Sequence, residues 1–148
     1  MKKIKWGIIG LGNIANTFAN AFDYVENSQL LGISSKSLKN IKLFKERYKI
    51  SEKYCFQNYE DIINCDEIDI IYIALPHSFH FEWIMKCIES NKNILVEKPA
   101  TINLDEIKKV NEKLRNSNLF FAEAFMYLYH PQTHKIIDII KKNTIGEL

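Results

Sequence analysis

Ile4-Lys5-Trp6-Gly7-Ile8-Ile9-Gly10-Leu11-Gly12-Asn13-Ile14-Ala15 is the stretch on which the reading of this chain turns. Ile4 to Ile9 reads as a buried strand that runs straight into a glycine turn. Gly10 permits the tight turn out of the strand. Gly12 lacks a side chain, so the backbone can approach a pyrophosphate, and Ala15 stands where a third glycine would, still small enough for close helix–strand packing. Beyond the turn, Ile14, Phe18, Ala21, Phe22 and Val25 fall at helical spacing. A helix opening near Asn13 aims free N–H groups and the positive end of its dipole at the turn. A glycine pattern alone is weak evidence; its position after a first strand and before a striped helix gives it meaning. The expected ligand is the diphosphate of a dinucleotide, held by Gly10, Gly12, Asn13 and Ile14. The competing reading is a plain strand-to-helix turn.

Strand and helix patterns alternate along the rest of the chain. Gln29 to Ser34 reads as a second strand, and Leu38, Ile41, Phe44 and Tyr48 stripe a second helix that Ser37 is placed to cap. Tyr54 to Phe56 is a short third strand and Tyr59 to Asn64 a brief helix. Ile68 to Leu75 is the clearest strand, nearly continuous in apolar residues, as expected when helices cover both faces of a parallel sheet. Phe81, Ile84, Met85 and Ile88 stripe the next helix, with Ser78 as its expected N-cap. Asn93 to Val96 is a fifth strand. Asn103 with Glu106 reads as a capping-box variant, opening a helix striped by Leu104, Ile107, Val110 and Leu114. Leu119 to Ala122 is a sixth strand, and a last helix covers Pro131 to Lys142. Six strands alternating with helices predict an α/β fold with a doubly wound parallel sheet, the Rossmann dinucleotide-binding arrangement.

Composition narrows the partners. At 148 residues, 47% hydrophobic and 26% charged, the chain suits one globular domain with a core that needs no disulfide or metal staples. The formal charge is +2 and the basic residues are scattered, which leaves no electrostatic footprint for nucleic acid. Cys55, Cys65 and Cys87 are odd in number and lack CxxC spacing, against a disulfide framework or zinc site and for a reducing compartment. Met1-Lys2-Lys3 before an apolar stretch imitates a secretory signal, but Asn13, Asn16 and Asn20 interrupt it. No apolar run approaches bilayer-crossing length. The expectation is a cytoplasmic protein with neither membrane nor nucleic acid as partner.

The end of the second strand selects the dinucleotide. An NAD site usually has Asp or Glu there to bind the ribose hydroxyls. This chain has Ser34-Ser35-Lys36-Ser37. No carboxylate stands ready to repel a 2′-phosphate, Ser35 can donate a hydrogen bond and Lys36 supplies positive charge. NADP is the preferred expectation, with NAD the alternative.

Two later loops leave strands at their carboxyl ends, where ligands lie in such sheets. Leu75-Pro76-His77-Ser78-Phe79-His80 follows the clearest strand, and Leu75, Pro76, His77 and His80 are expected beside the coenzyme. The two histidines are spaced HxxH, but no third ligand is evident and no metal is expected. Glu97-Lys98-Pro99 ends the fifth strand. A partly desolvated lysine there, close to a nicotinamide, can exchange a proton with an alcohol or carbonyl while hydride moves at the ring. Glu97 either orients that lysine or holds the loop, and Pro99 fixes the turn. Taken alone, Lys98 reads first as a surface charge at a strand end.

With these residues in view the chain resembles the Gfo/Idh/MocA family. The likeness rests on Gly10-Leu11-Gly12-Asn13-Ile14-Ala15, Ser34-Ser35-Lys36, Leu75-Pro76-His77-Ser78-Phe79-His80, Val96-Glu97-Lys98-Pro99-Ala100 and the segment Ala122 to Gln132. The resemblance implies an NAD(P)-dependent oxidoreductase acting on sugars, polyols or related alcohols, with coenzyme in an N-terminal domain and substrate held largely by a C-terminal α/β domain. It makes Lys98 the catalytic residue, for proton relay and nicotinamide placement.

Two departures qualify the likeness. Leu128 stands where the family usually carries Arg. The chain also stops at Ile145-Gly146-Glu147-Leu148, where the first strand of a second domain would begin. The expected organisation is therefore a dinucleotide-binding domain over residues 1–122. Residues 123–148 form a connecting segment and helix leading to a C-terminal domain that this chain lacks, with little or no turnover by the chain alone. Phe120, Phe121, Phe125, Met126, Tyr127, Leu128 and Tyr129 crowd one stretch, and an apolar patch left bare there predicts a homo-oligomer. The rival readings are a non-catalytic nucleotide-binding or assembly module, favoured by Leu128, and another Rossmann user such as a methyltransferase, disfavoured by Glu97-Lys98-Pro99.

Overall fold

The computed structural model describes residues 3–146; Met1, Lys2, Glu147 and Leu148, at the two ends considered above, lie outside the described residues. Six parallel strands form one sheet in the order β3-β2-β1-β4-β5-β6. They are β1 Ile4–Ile9, β2 Ser28–Ser34, β3 Cys55–Phe56, β4 Ile70–Ile73, β5 Asn93–Val96 and β6 Phe121–Glu123. The helices are α1 Asn13–Asn20, α2 Leu38–Tyr48, α3 Tyr59–Ile63, α4 His80–Glu89, α5 Leu104–Arg115 and α6 Pro131–Lys141. This strand order, reversing between β1 and β4, is the doubly wound arrangement expected from the alternation.

The centre of the sheet is isoleucine. Ile8, Ile9, Ile33, Ile71, Ile73 and Ile94 are fully buried, and all four residues of β4 are inaccessible. β-branched side chains suit this pleated, two-sided environment. Alternation along β1 separates the layers. Trp6 meets Phe18 of α1 at 5.3 Å between ring centroids, whereas a side chain at position 7 would press on Ile62 of α3. α1 and α2 share a face, tied by the Tyr48 hydroxyl donating to the Asn16 side-chain oxygen at 2.6 Å.

Four local expectations are adjusted. The first helix does not run on to Val25; it gives way at Ala21 to a 3₁₀ turn, Ala21–Tyr24, which carries Phe22 onto both Trp6 and Phe18. β4 is shorter than Ile68 to Leu75. Asp69 leaves the ladder because its carboxylate accepts from the Lys5 N–H at 2.7 Å, and the Leu75 carbonyl is claimed by a side chain discussed below. Ser78 does not cap α4: Pro76 initiates a 3₁₀ turn, His77–Phe79, and Phe79 occupies the N-cap position. β6 begins at Phe121 instead of Leu119, since the Phe120 N–H is bound by the Asn93 side chain at 2.9 Å. The Ser37 and Asn103 caps form as expected, with Asn40 and Glu106 N–H groups donating to them. The Glu106 carboxylate reaches back to the Ile102 N–H at 3.2 Å, one residue before the usual capping-box partner.

The last part of the chain is differently built. A 3₁₀ turn, Met126–Tyr129, leads into α6, and neither contributes a buried residue. Met126, Tyr127, Tyr129, Ile136 and Ile137 are exposed.

Candidate functional site

The glycine turn sits at the carboxyl edge of the sheet, between β1 and α1. Gly10 has φ +87°, a conformation that L side chains rarely adopt, and its N–H donates to the Ser34 carbonyl at 3.0 Å. Gly12 is the N-cap of α1, with φ −95°, and no side chain caps the helix. The N–H groups of the first turn therefore have no intrahelical partner, and no acidic residue occupies that turn. A Cβ placed on Gly12 meets nothing within 4 Å, so the turn opens on free space at a positive helix end. That space continues into a cleft of about 450 Å³ lined by Gly12, Asn13, Asn16, Asn40 and Arg47. The shape and the donor set fit a dinucleotide diphosphate.

The end of β2 lies next to this turn. Ser34 is fully buried and its hydroxyl has no hydrogen-bond partner among the described residues, so this hydroxyl lies inside the fold and its backbone does the visible work. Ser35 is nearly buried, and its hydroxyl accepts from the Ser37 N–H at 3.1 Å. Lys36 is exposed, with its ammonium 5.1 Å from the centroid of the Tyr59 ring, a cation–π contact that holds the charge near the strand end. Asn40 donates to the Leu11 carbonyl at 3.1 Å and braces the turn from α2. Tyr59, Asn40 and Arg47 are not among the site residues expected from the sequence, because only the fold brings α2 and α3 to the same edge.

The loops after β4 and β5 converge on the same edge. Leu75 is half-buried and Pro76 and His77 are exposed. His80 departs from expectation: it is 0% exposed, its Nε2 lies 2.8 Å from the Leu75 carbonyl and its Nδ1 2.8 Å from the Pro99 carbonyl. Both ring nitrogens face backbone carbonyls, which leaves neither free for a ligand. The sequence carries a sign of this, since His80, Ile84 and Cys87 lie on one stripe of α4 and all three are buried. Lys98 is exposed, where partial desolvation was expected.

Glu97 is turned into the fold. Alternation sends it, with Leu95, to the face that carries α1, where its carboxylate accepts from the Tyr72 hydroxyl. Burial, reinforced by the Glu97 carboxylate, raises the Tyr72 hydroxyl well above its ordinary pKa, so it stays a donor. Glu97 thus fixes the loop and does not orient the Lys98 ammonium. Beside this pair a mostly apolar cavity of about 420 Å³ is walled by Trp6, Phe18, Leu95, Phe120 and Met126. The three cysteines are unpaired, and burial pushes the Cys87 thiol up to about 12, which makes it a poor nucleophile. Among the described residues no group of three or more His, Cys, Asp or Glu is placed to hold a metal ion, and no helix is long and apolar enough to cross a membrane.

Comparison with known proteins agrees with this geometry. A family model described as an oxidoreductase family with an NAD-binding Rossmann fold matches residues 4–125. The chain is 30% identical to a trans-1,2-dihydrobenzene-1,2-diol dehydrogenase of Xenopus tropicalis, over 97% of this chain and 44% of that protein. It is 31% identical to a D-xylose 1-dehydrogenase (NADP(+)) of Hypocrea jecorina, over 97% of this chain and 39% of that protein. The crystal structure of a 3-ketoreductase from Actinomadura kijaniata, with NADP and TDP-benzene, superimposes with a TM-score of 0.90 at 28% identity, covering 99% of this chain and 44% of that one. The chain spans less than half the length of each of these relatives.

Proposed function

The chain belongs to the Gfo/Idh/MocA oxidoreductase family and carries its NAD-binding Rossmann fold, and from that premise we propose that it is the NADP(H)-binding part of an enzyme moving hydride between the nicotinamide and a sugar, polyol or related alcohol or carbonyl. The single observation that carries this reading is the uncapped helix end facing open space at Gly12. There the backbone N–H groups of Gly12, Asn13 and Ile14 hold the diphosphate, with Gly10 shaping the turn. Ser35 and Lys36 meet the adenosine ribose and its 2′-phosphate, Ser34 supplying backbone only. Leu75, Pro76 and His77 wall the coenzyme on the β4 side. The bound nicotinamide supplies or accepts the hydride. Lys98 holds the proton exchanged with the substrate oxygen at its ammonium nitrogen, on a turn fixed by Glu97.

Two of the relatives support the NADP choice, one by its name and one by the NADP in its crystal structure. Titration of the chain with each reduced coenzyme tests it. NADPH is expected to bind roughly tenfold more tightly than NADH, and Lys36→Ala to remove most of that difference. Equal affinities, or tighter NADH, reject the assignment of Lys36 to a 2′-phosphate.

The apolar surface of the last segment supports a second copy as partner. Met126, Tyr127 and Tyr129 are each more than half exposed, and α6 presents Ile136, Ile137 and Ile140 with no core beneath them. Reversible association in the micromolar range is the expected result in sedimentation velocity. A single monomer boundary at the highest attainable concentration contradicts it.

A further inference from the structure

The geometry points to His80 as a positioning residue: it clasps the Lys98–Pro99 turn to the exit of β4 and so fixes where the Lys98 ammonium stands relative to the diphosphate cradle. This rests on the coenzyme reading given above.

The contacts form a chain from one end of the site to the other. The glycine turn lies directly against β4. A Cβ on Gly10 would stand 2.5 Å from the Ala74 carbonyl oxygen and 2.9 Å from the Leu75 side chain, so there is no slack between them. The next carbonyl, that of Leu75, faces His80 Nε2 at 2.8 Å, and on the other edge of the ring Nδ1 faces the Pro99 carbonyl at 2.8 Å. Lys98 is the residue before Pro99. The backbone on either side is anchored separately, by the Glu97 N–H to the Ile73 carbonyl at 3.0 Å and by the Ala100 N–H to the Glu123 carboxylate at 2.8 Å. Between those anchors, the Pro99 carbonyl to His80 is the one hydrogen bond that residues 98 and 99 make among the described residues. Cut that link and the lysine turn is tethered only at its ends.

The ring is also suited to pull on two loops at once. Carbonyl oxygens only accept, and a neutral imidazole has one N–H and one lone pair. A neutral ring donates its one N–H to one of these carbonyls and packs against the other, so a single side chain touches both loops. The His77 ring, in the preceding 3₁₀ turn, lies 5.5 Å away between centroids.

The test compares two ligands on the native chain and on His80→Gln, whose amide can donate to one of the loops but cannot span both. NADPH reaches the Lys98 end of the site; adenosine 2′,5′-bisphosphate occupies only the end formed by the glycine turn and Lys36. The expected result is a loss of about tenfold in NADPH affinity with no change for the bisphosphate, because misplacement is confined to the lysine turn. Unchanged NADPH affinity, or a parallel loss for both ligands, overturns the assignment and leaves His80 as a core residue. If the native chain binds neither ligand, the coenzyme reading fails and this inference with it.

Discussion

Gly12→Asp is expected to weaken NADPH binding by at least about a hundredfold while leaving the unfolding temperature unchanged or slightly raised. The two effects separate because of where this position lies. Its φ of −95° is open to any L residue, and an added Cβ meets nothing within 4 Å, so the fold has room for the side chain. Asp is among the best N-cap residues, and its charge suits the positive end of α1. The same carboxylate takes the N–H groups that the diphosphate needs and repels it. Losing two charge-assisted hydrogen bonds amounts to about 3 kcal/mol or more, which is a factor of about a hundred. Thermal unfolding and a fluorescence titration on the same sample check both halves. Retained binding would remove the diphosphate from this turn.

Two residues earlier the consequence reverses. Gly10→Ala is expected to destabilise the fold by about 3 kcal/mol, a large share of the total stability of an ordinary domain. The φ of +87° is strained for any side chain. The new Cβ would also stand 2.5 Å from the backbone oxygen of Ala74, an atom that cannot swing aside because the Ala74 N–H is itself bound to the Ile9 carbonyl at 2.9 Å. Relief requires β4 to shift against β1 at the centre of the sheet. Urea unfolding with an unchanged slope and a lower midpoint is the expected outcome. A midpoint within error of the native value would mean that the turn is looser than this packing implies.

The contrast between these glycines shows what a sequence can and cannot carry. Both were legible as parts of a phosphate-binding turn, because strand, turn and striped helix follow one another locally. The same holds for the Ser37 and Asn103 caps and for the bounds of β5. What escaped depends on contacts remote in the chain. β6 starts at Phe121 because Asn93, on a neighbouring strand, takes the Phe120 N–H. Lys36 finds Tyr59 only once β3 has brought α3 to the sheet. The two histidines of the β4 loop look alike in sequence, and the 3₁₀ turn begun by Pro76 turns one outward and the other inward. Of the two roles open to Glu97 in the sequence, its contact with Tyr72 favours holding the loop, and because Tyr72 belongs to β4 the β5 pattern alone could not choose between them.

The most direct measurement is an amide-by-amide NMR titration of the chain with NADPH. The expected result is saturable shifts that are largest at Leu11 to Ala15, with further shifts at Ser35, Lys36, His77 and Lys98. Shifts confined to the apolar face around Trp6, Tyr72 and Leu95, or none at all at millimolar coenzyme, would contradict it.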